Sequence, residues 1–169
     1  FNAQHDMPAV LWGKLLLNLN NAINALSNLP LKAELSQRDY RRCLSLAQRE
    51  TLALYSAAGI KPMQLTALPP HWLARLLTVP DWLFQRLAQR MLAMDPLARS
   101  SMWEDLEAGR RTEVDWIQGE VVALASELGL TAPINASLLQ LIREAEQAGP
   151  KRRPWSGADL LARLRSTSA

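Results

Sequence analysis

The segment that decides the fold covers residues 9–27 and reads AVLWGKLLLNLNNAINALS. Its apolar residues recur at every third or fourth position, which is the period of an α-helix with one buried face. Asp6 and Pro8 mark the start of this helix, and Pro30 lies just beyond its end. We therefore predict one long helix over residues 9–27.

The same helical period continues to the end of the chain, and no stretch alternates apolar and polar residues as a half-buried strand would. Prolines and glycines separate the helical segments. The predicted helix starts are Ser36, Asp81, Ser100 or Ser101, Thr112, Asn135 or Ser137, and Gly157, with a loop and one short helix around Pro62, Pro69 and Pro70. This pattern predicts an all-α, multi-helix domain.

Composition indicates a globular chain with its own core. Of 169 residues, 49% are hydrophobic and 21% are charged, which is too apolar for a disordered segment. The single cysteine, Cys43, excludes a disulfide framework, and two histidines far apart in sequence give no zinc pattern, so we predict no metal site. No apolar run reaches the ~18 residues that span a bilayer. We expect a cytoplasmic domain without a membrane partner.

Positive charge is concentrated at the C-terminal end. Residues 150–169 contain five basic residues and one acid, a charge of +4 against +3 for the whole chain. Proteins that bind nucleic acids usually spread Lys and Arg along one face of the fold. A basic tail on a nearly neutral body therefore disfavours nucleic acid as the partner.

Polar residues form a stripe on the first predicted helix. Lys14, Asn18 and Asn21 fall within about 60° of one another on a helical wheel. One ammonium and two amides can all donate hydrogen bonds to a small, oxygen-rich ligand. A solvated helix face has the same pattern, and the residues alone leave both interpretations open.

Two later helix starts carry similarly ambiguous groups. Ser101 with Glu104 three residues on matches a capping box, and Glu113 suits the first turn of a helix. The same geometry suits a ligand, because a helix start offers free N–H groups beside a serine hydroxyl to a carboxylate. Glu113 could then pair with a lysine from elsewhere. Both interpretations stay open at this point.

Taken together, several motifs in a fixed order carry a resemblance to a known family. They are Trp12-Gly13-Lys14-Leu15-Leu16-Leu17-Asn18, Ser100-Ser101-Met102 with Asp105, Arg111-Thr112-Glu113 with Asp115 and Gly119, and Gly129 with Pro133 and Asn135. The chain resembles the C-terminal helical domain of ketopantoate reductase (2-dehydropantoate 2-reductase) over residues 10–146. The resemblance implies a fold like the C-terminal domain of 6-phosphogluconate dehydrogenase. It also implies NADPH-dependent reduction of ketopantoate to pantoate, for pantothenate and coenzyme A biosynthesis.

The resemblance assigns roles by position. Lys14 matches the catalytic lysine, which donates to the ketone oxygen and supplies a proton. Asn18 matches a substrate-binding asparagine, and Ser101 matches a serine that binds the substrate at its carboxylate. Glu113 matches a glutamate where substrate and nicotinamide meet, close enough to the lysine to favour its charged form.

The chain departs from the family pattern at two positions. A second substrate asparagine often lies eight residues after the lysine, where this chain has Ala22, and Asn21 replaces it only if its side chain faces the site. Another asparagine often lies three residues before Ser101, where this chain has Ala98. Both changes remove polar contacts, so a related 2-oxo acid is an alternative substrate.

The family binds NADPH on an N-terminal Rossmann domain, through a Gly-x-Gly-x-x-Gly turn. This sequence has seven glycines and no such turn. We therefore expect residues 1–9 to be a leader from a missing Rossmann domain, residues 10–149 a helical substrate-binding and dimerisation domain, and residues 150–169 a basic tail. We expect a homodimer, and no turnover by this chain alone. The alternative is a helical interaction module without catalysis.

Overall fold

The computed structural model describes residues 8–169, apart from the side chain of Met91. Those residues contain no β-strand, so the predicted all-α fold is confirmed. The helices are α1 (Ala9–Asn18), α2 (Asn20–Ser27), α3 (Leu31–Leu35), α4 (Arg38–Ala58), α5 (Pro70–Leu76), α6 (Asp81–Leu87), α7 (Gln89–Leu92), α8 (Ser101–Glu107), α9 (Gln118–Glu127), α10 (Pro133–Ala148) and α11 (Gly157–Thr167), with short 3-10 turns at Val114–Trp116 and Gly149–Lys151. Asp6 and almost all of the predicted leader lie outside the described residues.

The longest helix, α4, runs through the centre of the fold and contacts α3, α5, α10 and α11, while α2 packs on α8 and α10. Cys43 lies on α4 and is fully buried. Burial raises the pKa of its thiol to about 12, so the group stays protonated and unreactive at neutral pH. No helix in the described part of the chain is long and apolar enough to cross a membrane.

The predicted long helix is interrupted at Leu19, between α1 and α2. Leu19 keeps helical angles (φ −56°, ψ −28°), so the interruption is a local loosening and not a turn. Gln118 Nε2 donates to the carbonyl of Leu19 at 3.0 Å, and Gln48 Nε2 donates to that of Leu16 at 3.3 Å. Donors inserted at helix carbonyls weaken the hydrogen-bond ladder. They come from residues distant in sequence, which a local pattern does not show.

Several other helix boundaries differ from the sequence prediction. Ser36 does not cap α4, because its hydroxyl donates to the carbonyl of Lys32 at 2.6 Å and ends α3. The helix expected from Asp81 divides at Ala88 into α6 and α7. The helix expected from Thr112 begins as the 3-10 turn and continues as α9.

A distant carboxylate caps α10, which begins earlier than either predicted start. Glu50 on α4 accepts hydrogen bonds from the backbone N–H groups of Ile134 and Asn135, at 2.9 and 2.8 Å. Free N–H groups at a helix start need such acceptors. The N-terminus of α10 is therefore fixed to the central helix.

The loop after α4 crosses α1 beside Lys14. Met63 N–H donates to the carbonyl of Ala9 at 2.9 Å, and a Cβ on Gly13 would collide with the carbonyl oxygen of Met63. A side chain at position 13 would push this loop away. The Gly13-Lys14 pair thus places a close backbone contact next to an exposed ammonium.

A buried carboxyl lies under the α1–α2 junction. Glu34 on α3 is fully buried, and its Oε1 accepts a hydrogen bond from Asn20 Nδ2 at 2.9 Å. Burial raises the pKa of Glu34 from its ordinary 4.5 to about 8, although hydrogen bonds from Asn20 and Asn24 oppose the shift. Neither Glu34 Oε2 nor Asn20 Oδ1 has a hydrogen-bond partner among the described residues. A proton on Oε2 makes it a donor, so the neutral acid suits this pocket.

The titration of Glu34 should make the stability of the domain depend on pH. The unfolded chain loses the proton near pH 4.5 and the folded chain near pH 8, so stability should fall between these values. The expected slope is about 1.4 kcal/mol per pH unit. Glu34→Gln keeps hydrogen-bonding groups and removes the proton, so urea unfolding of this variant should lose that slope. The exposed control Glu104→Gln should keep it, and a Glu34→Gln protein with the wild-type slope would contradict the assignment.

Candidate functional site

The polar stripe predicted on the first helix lies at the surface. Lys14 and Asn18 are exposed and Asn21 is half-buried, whereas Trp12 and Leu16 on the other side of α1 are buried. The Lys14 ammonium makes no hydrogen bond or ion pair within residues 8–169. It is therefore available to a ligand.

The start of α8 separates the roles of two adjacent serines. Ser100 is the cap, because its Oγ accepts a hydrogen bond from the Trp103 N–H at 3.1 Å. Ser101 is the first residue inside α8, so the predicted capping box with Glu104 is wrong. The Ser101 side chain is exposed and has no structural task in the described part of the chain. Its hydroxyl is free to contact a ligand.

Contacts between α2 and α8 bring this serine to the stripe. The Ser100 N–H donates to Asn24 Oδ1 at 3.0 Å, and the Ser100 hydroxyl donates to the carbonyl of Asn21 at 3.4 Å. Asn24 is fully buried and its amide also donates to the carbonyl of Leu29. The buried asparagine is thus structural, and it places Ser101 next to Asn21.

Glu113 lies at the start of a segment that packs against α9 and α10. Its side chain is exposed and directly precedes the 3-10 turn Val114–Trp116. Two residues beyond that turn, at the start of α9, Gln118 donates to the carbonyl of Leu19, which follows Asn18 in the chain. Among the described residues no ion pair joins Glu113 to Lys14. Gln118 was missed from sequence, and its only signal is a polar residue on an apolar helix face.

The two departures from the family pattern occupy different environments. Ala22 is fully buried, so the position eight residues after Lys14 faces the core. Asn21 presents a half-exposed side chain on the stripe instead. Ala98 is half-buried, two residues before Ser100.

A cavity of about 740 Å³ lies elsewhere, between the loop after α4 and helices α5 to α7. Its lining combines apolar and polar side chains, among them Leu68, Leu73, Leu76, Leu87, Thr66, Gln89, Arg86 and Arg90. Most of the lining surface is apolar, which suits an apolar ligand better than a small polar substrate. The polar surface of α1, α2 and α8 suits such a substrate better. No group of three His, Cys, Asp or Glu side chains in the described residues could hold a metal ion.

The basic tail is partly structural. Arg152 belongs to the basic tail, but its side chain is only 5% exposed, and Nη1 pairs with Glu107 Oε1 at 2.9 Å. The backbone N–H of Trp155 donates to the carbonyl of Leu26, and the backbone carbonyl of Trp155 accepts a hydrogen bond from the Tyr40 hydroxyl at 2.7 Å. These contacts fasten the tail to the domain.

The described residues form a helical domain in which five exposed or half-buried side chains offer one ammonium, one carboxylate, two amides and one hydroxyl, namely those of Lys14, Glu113, Asn18, Asn21 and Ser101. The family model described as "Ketopantoate reductase PanE/ApbA C terminal" matches residues 6–146. The chain belongs to this family.

Individual relatives of the chain support the same family assignment. A 2-dehydropantoate 2-reductase of Pyrobaculum aerophilum is 30% identical over 143 residues, which is 83% of this chain and 44% of the relative. A 2-dehydropantoate 2-reductase of Halobacterium salinarum is 28% identical over 140 residues, 82% of this chain and 40% of the relative. The crystal structure of a PanE/ApbA family ketopantoate reductase from Ralstonia eutropha JMP134 superposes with a TM-score of 0.61 at 27% identity, covering 82% of this chain and 41% of that one. The chain therefore spans less than half the length of these relatives.

Proposed function

We propose that this chain is the substrate-binding half of an NADPH-dependent 2-dehydropantoate 2-reductase, which reduces ketopantoate to pantoate. One observation carries the proposal. The family positions for catalysis and substrate binding, Lys14, Asn18, Ser101 and Glu113, all have exposed side chains on segments that contact one another.

Each of these side chains has a role that follows from its charge and from the hydrogen bonds it can make. The Lys14 ammonium donates a hydrogen bond to the ketone oxygen and transfers its proton there as the alcohol forms. Ser101 binds the substrate carboxylate, and Asn18 and Asn21 bind its remaining oxygens. In this proposal Glu113 lies where the substrate meets the nicotinamide.

NADPH, when bound, supplies a hydride to the ketone carbon. Glu113 is the group of this chain that we assign beside the nicotinamide, since it matches the family position and its side chain is exposed. The rest of the cofactor site belongs in our proposal to an N-terminal Rossmann domain. Residues 1–9 would then lead from that domain, residues 10–149 form the substrate-binding and dimerisation domain, and residues 150–169 form the basic tail.

Steady-state NADPH oxidation by the full-length protein tests this function. Ketopantoate should be reduced with the highest kcat/KM in a panel of 2-oxo acids, and pantoate should form in equal amount. Preference for another 2-oxo acid would instead support a related reductase, as the alanines at positions 22 and 98 allow. No oxidation with any of these acids would contradict the proposal.

Variants of two neighbouring serines should distinguish a residue that binds substrate from one that stabilises the fold. Ser101→Ala should raise KM for the 2-oxo acid about tenfold with unchanged stability, because it removes one ligand hydrogen bond from an exposed position. Ser100→Ala should lower the free energy of unfolding by about 1 kcal/mol, because it removes the cap of α8. Urea unfolding and steady-state kinetics of both variants measure this. Equal KM values in Ser101→Ala and wild type would remove Ser101 from the site.

A second candidate is a helical dimerisation module without catalysis. The observation that favours it is the exposure of large apolar side chains around the α5–α7 region, with Trp72 at 52%, Trp82 at 67% and Leu87 at 60%. Such patches often mark interfaces. The homodimer is compatible with the reductase, so the activity assay decides between the two candidates. We place the protein in the cytoplasm in either case, because its one thiol suits a reducing compartment.

A further inference from the structure

The turn that carries Glu113 is held from one side by α10. The buried Thr112 hydroxyl donates to Glu146 Oε1 at 2.7 Å and accepts a hydrogen bond from the Val114 N–H at 3.3 Å. The Thr112 N–H also donates to Glu146 Oε1, at 3.3 Å. One hydroxyl therefore ties together the residues on both sides of Glu113 and connects them to α10.

A second contact from the same helix face holds the other end of the turn. Arg143 Nη2 pairs with Asp115 Oδ1 at 2.7 Å. Arg143 and Glu146 are three residues apart, which places them on one face of α10. The first turn of α10 is itself anchored to Glu50 of α4. A rigid helix thus joins the centre of the fold to the Glu113 turn.

The backbone around Glu113 needs this support. Glu113 (φ −88°, ψ 18°) lies outside regular helix geometry, and Ile117 (φ −115°, ψ −86°) breaks the path between the 3-10 turn and α9. Within this segment the Trp116 N–H donates to the Glu113 carbonyl at 2.9 Å, whereas the Thr112 and Val114 N–H groups depend on side-chain acceptors. The direction of the Glu113 side chain is consequently set by contacts that Glu113 does not make itself.

We infer that Glu146 and Arg143 are positioning residues, which act through Thr112 and Asp115 to aim the Glu113 carboxylate at the substrate site. The inference rests on the proposed function for the role of Glu113. Catalytic groups act only when held close to their productive geometry, and a misplacement of about 1 Å can cost up to about 100-fold in rate.

Kinetics of the full-length enzyme test the coupling. Thr112→Val keeps the side-chain shape and removes the hydroxyl, so kcat should fall about tenfold, and Thr112→Ser should restore most of it. Glu146→Gln should lower kcat, whereas Glu144→Gln, exposed on the same helix, should not. Combined with Glu113→Gln, Thr112→Val should add no further loss, because both changes disable one carboxylate. Full additivity of the two losses would overturn the inference.

Amide hydrogen exchange of this chain gives a readout that does not depend on activity. In Thr112→Val the Val114 amide should exchange roughly tenfold faster, while α4 amides keep the wild-type rate. An unchanged Val114 rate would overturn the inference. Faster exchange together with a fully active Glu113→Gln enzyme would support the role of Thr112 in holding the turn. It would refute the proposed role of Glu113 instead.

Discussion

Lys14→Ala is expected to lower kcat of the full-length enzyme by about 100-fold or more, because the ketone oxygen loses its proton donor. Lys14 is exposed on α1 and has no partner in the described part of the chain, so its removal should leave folding unchanged. The loss should therefore appear in kcat and kcat/KM without a change in the urea midpoint.

Two further variants make the Lys14 result specific. Lys14→Arg keeps the positive charge, but a guanidinium does not release its proton near neutral pH, so substrate binding should survive better than turnover. Lys151→Ala removes an exposed lysine of the tail and should leave both constants unchanged. Wild-type turnover by Lys14→Ala would show that Lys14 is a solvated surface residue, which is the other interpretation of the polar stripe.

Arg41→Met should produce the largest loss of stability. Arg41 on α4 is fully buried, and its guanidinium donates to the carbonyls of Leu77, Leu35 and Val79 at 3.0, 2.9 and 2.8 Å. It also pairs with Asp81 at 2.9 Å. Methionine fills a similar volume and leaves three carbonyls without their charged donor. The free energy of unfolding should fall by roughly 3–5 kcal/mol.

Arg42→Met is the matched control for this prediction. Arg42 is half-buried, and its one ion pair within residues 8–169 is with Asp39, at 3.6 Å, so its replacement should change stability by less than about 1 kcal/mol. Urea unfolding of this chain with each variant compares them directly. Equal effects would show that the buried guanidinium does not stabilise the ends of α3 and α5.

The helical fold was predictable because its signals are local. Apolar periodicity and chain breakers locate most helices, and α4 ends at Gly59 in the left-handed conformation (φ +70°) that glycine adopts readily at helix ends. The predicted helix boundaries are wrong where side chains distant in sequence determine them. Gln118 loosens the helix at Leu19, and Glu50 sets the start of α10.

The asparagines of the first two helices show the same limit at the site. Asn18 and Asn21 lie on the surface stripe, while Asn20 and Asn24 are buried and hydrogen-bond to Glu34 and to the backbone. The four asparagines are the same residue type, but two are exposed on the polar stripe and two hold buried hydrogen bonds. Only packing against α3 and α8 separates them, so sequence periodicity could place the stripe but could not explain the remaining asparagines.

The most direct test is a crystal structure of the full-length protein with ketopantoate and NADP⁺. We expect Lys14 Nζ within about 3 Å of the ketone oxygen, with Ser101 at the substrate carboxylate. Glu113 should lie beside the nicotinamide. Substrate bound away from α1, with Lys14 facing solvent, would contradict the central claim.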